Sequence, residues 1–84
     1  MYKNQYRGKN NLCGEKIARL RQQYPDLSQR KMAQELGILG CRLHKNAIQR
    51  IESGERFVSD IELAIFARYF CVPADELLRQ TPRY

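Results

Sequence analysis

Lys45, Asn46, Gln49 and Arg50 lie one, three and one residues apart, a spacing that places all four on one side of an α-helix. The types matter as much as the spacing. Asn46 or Gln49 can pair bidentately with adenine, and Lys45 or Arg50 can reach O6 and N7 of guanine. Ile48 and Ile51 of the same run point the other way, toward a core. The run therefore reads as a short amphipathic helix with one face for packing and one for base edges and phosphates. Each side chain also has a plainer use. Arg50 can form an ion pair with a nearby acid such as Glu35, and Lys45 can be an ordinary solvated lysine.

Such a face works only if other elements hold it in place. The pattern predicts a first helix over about Gly14 to Gln23, with Ile17 and Leu20 as its buried stripe, stopped by Pro25-Asp26. Ser28 is a suitable N-cap for a second helix, whose buried residues are Met32, Ala33 and Leu36. The third helix carries the polar face and stops at Ser53-Gly54. Ser59-Asp60-Ile61-Glu62 is a capping box opening a fourth helix. Ile61, Leu63, Ala64, Ile65, Phe66, Ala67 and Phe70 make that helix the most apolar stretch of the chain. Val72-Pro73 breaks it, and Ala74 to Leu78 form a short fifth helix. No strand-like alternation or repeat interrupts this pattern.

Charge and cysteine usage narrow the function. The 84-residue chain carries 15 Lys and Arg against 9 Asp and Glu, a net charge of +6. Residues 1–50 hold 11 basic and 3 acidic side chains, a net of +8, whereas residues 51–84 hold 4 and 6, a net of −2. A basic half that also contains the two-helix unit is the footprint of a polyanion binder. Cys13, Cys41 and Cys71 are odd in number and far apart, and His44 is the one histidine, so neither a zinc site nor a disulfide framework is expected. Reduced cytoplasmic thiols fit better, with Cys13 and Cys71 as small apolar fillers. No apolar run is long enough to span a membrane, and the start of the chain lacks the apolar core of a signal peptide.

Taken together, Gly14-Glu15-Lys16-Ile17-Ala18-Arg19-Leu20-Arg21, Leu27-Ser28-Gln29, Met32-Ala33-Gln34-Glu35-Leu36, the helix end Ile48-Gln49-Arg50-Ile51-Glu52-Ser53-Gly54 and the final Asp75-Glu76-Leu77-Leu78 resemble the lambda-repressor-like, Cro-type (xenobiotic-response-element) helix-turn-helix family over about residues 13–78. The resemblance implies an all-α fold, a compact five-helix lambda-repressor-like DNA-binding domain that binds operator DNA, commonly as a dimer. It places Lys45, Asn46, Gln49 and Arg50 in the major groove, and Gln29 where its amide meets a phosphate or its side chain buttresses the recognition helix. It brings Arg56 near the DNA backbone and gives Glu52 a structural role in holding the loop after the third helix. Glu55 stands where a basic residue is usual. The chain also departs in having an extended connection between its second and third helices, from Gly37 to His44. Either the second helix ends at Gly37 and a loop is inserted, or it runs to about Leu39 with Gly40 as its stop. The latter aligns Leu36 with Leu39, buries Leu43 in the turn and makes His44 the N-cap, and it is the preferred account.

The expected organisation is a basic N-terminal arm over 1–11, the helix-turn-helix domain over 12–78 and a tail over 79–84. Lys3, Arg7 and Lys9 of the arm either reach toward DNA or stay loose, and Tyr2 and Tyr6 can pack on the fold. The leading function is sequence-specific binding of double-stranded DNA by a bacterial or phage-type regulator, a repressor that acts as a homodimer. Its dimer surface is expected around Phe66, Phe70, Leu77 and Leu78 unless these are all core. The competing function is a protein-interaction module or antitoxin-like adaptor on the same fold. Nothing points to an enzyme, a metal, another cofactor, a small-molecule ligand or a membrane partner: no nucleophile–base pair, acid pair or phosphate loop is present.

Overall fold

The computed structural model describes residues 5–80, so Tyr2 and Lys3 of the expected arm and residues 81–84 of the tail lie outside it. Five helices follow in order: α1 (Gly14–Gln22), α2 (Gln29–Ile38), α3 (Lys45–Ser53), α4 (Asp60–Phe70) and α5 (Ala74–Leu78). Side-chain caps define most of the starts. Ser28 Oγ accepts the Lys31 N–H at 3.0 Å. Ser59 and Glu62 cap each other: Ser59 Oγ accepts the Glu62 N–H at 3.1 Å, and Glu62 Oε1 accepts the Ser59 N–H at 3.0 Å. Gly54, in the left-handed region with φ 87°, closes α3.

The core is built from every helix. Ile17 of α1, Met32 and Leu36 of α2, Ile48 and Ile51 of α3, Phe66 of α4 and Leu77 of α5 are fully buried, with Cys13, Cys41, Ala67 and Phe70 beside them. Burial pushes the Cys13 thiol up to about 11, so it stays protonated and serves as a small apolar group. Three expectations change here. Phe66, Phe70 and Leu77 are core, so the surface expected to pair two copies is used inside the fold and only Leu78 of that set remains exposed. Ile61 and Ala64 face outward, because the inner face of a single helix cannot take in seven apolar positions. Cys71 is exposed as well. It is the left-handed C-cap of α4, with φ 58°, and not a filler.

The long connection continues α2 past Gly37. Leu39 is the C-cap, Gly40 turns the chain at φ 93°, and the Cys41 N–H donates back to the Leu36 carbonyl at 2.9 Å. Cys41, rather than Leu43, takes the buried turn position, and Leu43 packs half-buried against the core. His44 caps α3, its Nδ1 accepting the Asn46 N–H at 3.2 Å.

Residues 5–11 show no apolar period, and side-chain amides hold them in place. Asn10 Nδ2 donates to the Glu55 carbonyl at 2.8 Å. Asn11 Nδ2 donates to the carbonyls of Ile51 and Arg56 at 3.0 and 2.7 Å, and Asn11 Oδ1 accepts the Gly14 N–H at 2.8 Å. This brings the start of α1 against the end of α3 so closely that a Cβ on Gly14 would collide with the Ile51 carbonyl. On the far side of the same loop, Arg56 forks onto Glu62 at 3.0 and 3.1 Å. That guanidinium, with lesser help from the Ser59 N–H, holds the Glu62 carboxyl below its ordinary value of 4.5, against the opposing effect of burial.

Ile48→Ala should destabilise the domain by roughly 2–5 kcal/mol through a core cavity. Gly14→Ala should also lower the melting temperature, although alanine is the better helix former. A Gly14→Ala protein melting at or above the parent would refute the close α1–α3 approach. The Glu62 pairing adds a pH term of defined sign. Because the folded-state value is lowered, its stabilisation is present above the unfolded carboxylate range and is lost as pH falls through the folded value. Glu62→Gln should therefore melt below the parent at pH 7, with the gap closing as the pH is taken below the ordinary carboxylate range. A gap that persists unchanged in acid would show that the pairing does not contribute through charge.

Candidate nucleic-acid interface

One ion-pair cluster fixes α3 relative to the helices behind it. Arg21 of α1 grips Glu52 of α3 with both arms, Nε to Oε2 at 2.8 Å and Nη2 to Oε1 at 3.1 Å. Gln29 at the start of α2 donates to the same Oε1 at 2.9 Å, and Arg21 Nη1 reaches the Leu27 carbonyl at 3.0 Å. The pair is largely shielded, with side-chain exposures of 15% for Arg21 and 8% for Glu52, and the Glu52 hydrogen bond raises the Arg21 pKa further above its ordinary value. Glu52 thus ties three helices together. The loop after α3, which sequence reasoning assigned to Glu52, is held instead by Asn10, Asn11 and the Arg56–Glu62 fork.

With its inner face fixed, α3 presents the other. Lys45, Asn46, Gln49 and Arg50 are all exposed, and among the described residues no side-chain hydrogen bond or ion pair engages them. The suggested Arg50–Glu35 pair is absent: Glu35 instead accepts the hydroxyl proton of Tyr69 on α4. That bond and burial together raise the Tyr69 pKa, with burial the larger cause. Gln29 is turned inward as the buttress, its side-chain amide on Glu52. Arg56 is brought beside α3 but its charge is already matched by Glu62, so it enters the site as a clamp on the loop.

The remaining cations sort in the same way. Lys9, Lys16, Arg19, Arg21, Arg56 and Arg79 each have a carboxylate partner. Among the described residues without one, Arg30, Lys31, Arg42, Lys45 and Arg50 all lie on α2, the turn or α3, and only Arg7 and Arg68 lie elsewhere. Both acids of that unit are occupied, Glu35 by Tyr69 and Glu52 by Arg21. Uncompensated positive charge is therefore concentrated on the two-helix unit.

Sequence reasoning passed over Phe57. Beyond Gly54 the chain turns back along α3, where the Glu55 and Arg56 N–H groups both donate to the Arg50 carbonyl. Phe57 then borders a shallow depression with Asn46, Ala47, Arg50, Glu55 and Arg56, and the residue is 52% exposed. Nothing in the hydropathy pattern marks this residue, because its position follows from the reversal at Gly54.

Among the described residues no helix is long and apolar enough to cross a membrane. No curated protein and no solved structure gives a significant match to the chain. A family model described as a helix-turn-helix domain matches residues 13–80, a span that takes in all five helices, the Arg21–Glu52–Gln29 cluster and the free polar face of α3. The chain belongs to the helix-turn-helix domain family, and its architecture is that of a DNA-binding fold.

Proposed function

We propose that the chain is a sequence-specific regulator of transcription of the lambda-repressor-like, Cro-type kind. In this reading it is a repressor of bacterial or phage type that acts in the cytoplasm and binds double-stranded DNA as a homodimer. The observation that carries the reading is the division of α3. Ile48 and Ile51 are fully buried and Glu52 is tied down, while Lys45, Asn46, Gln49 and Arg50 are exposed and unengaged. An interaction module has no need of free amides and free cations together on one helix face. Asn46 and Gln49 read base edges, Lys45 and Arg50 reach bases or phosphates, and the Gln29 amide with Arg30, Lys31 and Arg42 grips the backbone. One short helix reads too few bases to define a site, so two copies on half-sites about 34–36 Å apart supply the specificity.

Two measurements test this. Binding should fall steeply with salt: a complex with roughly 6–10 phosphate contacts loses about 10³–10⁵ in affinity between 50 and 200 mM salt. A flat salt response would exclude DNA as the partner. Asn46→Ala and Gln49→Ala should each cost about 1–3 kcal/mol on a duplex selected from a random pool and little on unselected DNA, with melting temperatures near the parent's. Variants that bind the selected duplex as well as the parent would remove α3 as the reader and favour the interaction-module function.

A further inference from the structure

A singly exposed phenylalanine needs no explanation by itself. Phe57 differs in how it is held. Its preceding carbonyl, that of Arg56, accepts Asn11 Nδ2 at 2.7 Å. The Arg56 N–H donates to the Arg50 carbonyl at 3.2 Å, and the Phe57 carbonyl accepts Arg56 Nη1 at 3.1 Å. Three hydrogen bonds thus pin the backbone on both sides of an apolar residue left more than half exposed. Phe57 and Ala47, in the first turn of α3, line one depression, which also carries the unengaged amide of Asn46, the guanidinium of Arg50 and Glu55.

We infer that Phe57 and Ala47 form an apolar subsite for the C5 methyl group of thymine, which makes Phe57 a specificity-determining residue. The inference rests on the proposed DNA-binding function. An A·T pair shows adenine N6 and N7 and the thymine methyl along one major-groove edge, and phenylalanine and alanine are side chains that contact that methyl. Asn46 supplies the donor and acceptor for adenine, and the adjoining apolar pair takes the methyl of the same or the neighbouring base pair. The pinned backbone means that little side-chain freedom beyond the ring's own is lost on binding.

The test exchanges single thymines for deoxyuridine, which removes only the methyl, in a duplex selected by the full chain from a random pool. Burial of one methyl group corresponds to about a fourfold change in affinity. The parent should lose about that factor at one thymine per half-site. Phe57→Ala should bind the thymine and uracil duplexes nearly alike at that position, and Phe57→Leu should keep part of the preference. Two results overturn the subsite while leaving DNA binding intact: Phe57→Ala keeps the parent's full preference for thymine, or it weakens both duplexes equally, as it would if the ring met a phosphate or a second copy of the chain. A parent that selects no sequence at all instead overturns the DNA-binding function, and the subsite with it.

Discussion

The two-pronged bond between Arg21 and Glu52 is the constraint on which the arrangement of α3 depends. A buried ion pair gives little net stability, because removing two charges from water costs about as much as their attraction returns. What it supplies here is position. Glu52 has both oxygens engaged, one by Arg21 alone and one by Arg21 and Gln29, so three helices must meet in one geometry to satisfy it. Sliding α3 along the core would leave a shielded carboxylate without its partners, which costs more than the intact pair contributes. Apolar packing of Ile48 and Ile51 drives α3 inward without fixing its register so sharply, since volume-conserving rearrangements of a core cost less.

Once α3 is fixed, the sorting of charge follows. A protein with a net charge of +6 must neutralise some of its cations or spread them, and this chain pairs six of the described ones with carboxylates outside the exposed polar face of α3. Those left free gather on α2, the turn and α3. The local field at that surface therefore exceeds what the net charge alone suggests. Glu55 is the exception, an exposed acid at the end of the face whose Oε1 accepts the Ser53 hydroxyl proton at 3.3 Å. It lowers the positive potential at that end, so the field is strongest toward the side of α2.

The fold was legible because each helix declares itself locally. Ser28, the Ser59–Glu62 box and Gly54 mark boundaries with short-range chemistry, and the buried residues of α1 to α3 recur at helical spacing. The polar residues of α3 were legible for the same reason: once Ile48 and Ile51 face inward, the rest of the helix has only one direction left. What escaped depended on contacts distant in sequence. Asn11 binds carbonyls about forty residues away, and no periodicity announces it. Arg56 reads as a free cation until Glu62 is brought within 3.0 Å by the reversal after Gly54. The apolar surplus of α4 read as a possible interface because a pattern shows which residues are greasy and not how much neighbouring surface exists to cover them. The core takes in Phe66, Ala67 and Phe70 and leaves Ile61 outside.

The long connection shows which restraints position α3 and which only deliver the chain to it. From Leu39 to His44 the backbone turns at Gly40, bonds back to α2 through the Leu39, Gly40 and Cys41 N–H groups and buries Cys41, with Leu43 half-buried. These contacts all face α2 or the core, and none holds the exposed face of α3. Loop length is thermodynamically cheap, since doubling a loop adds only about 0.6 kcal/mol of closure entropy. Added residues in the turn are therefore tolerated, provided that they end in a residue able to start the next helix. His44 does so through Nδ1, and its ring must leave that nitrogen unprotonated to accept the Asn46 N–H. The turn can vary while α3 stays where Glu52, Ile48 and Ile51 put it, because the geometry of its exposed polar face is set from behind the helix and not from the segment leading into it.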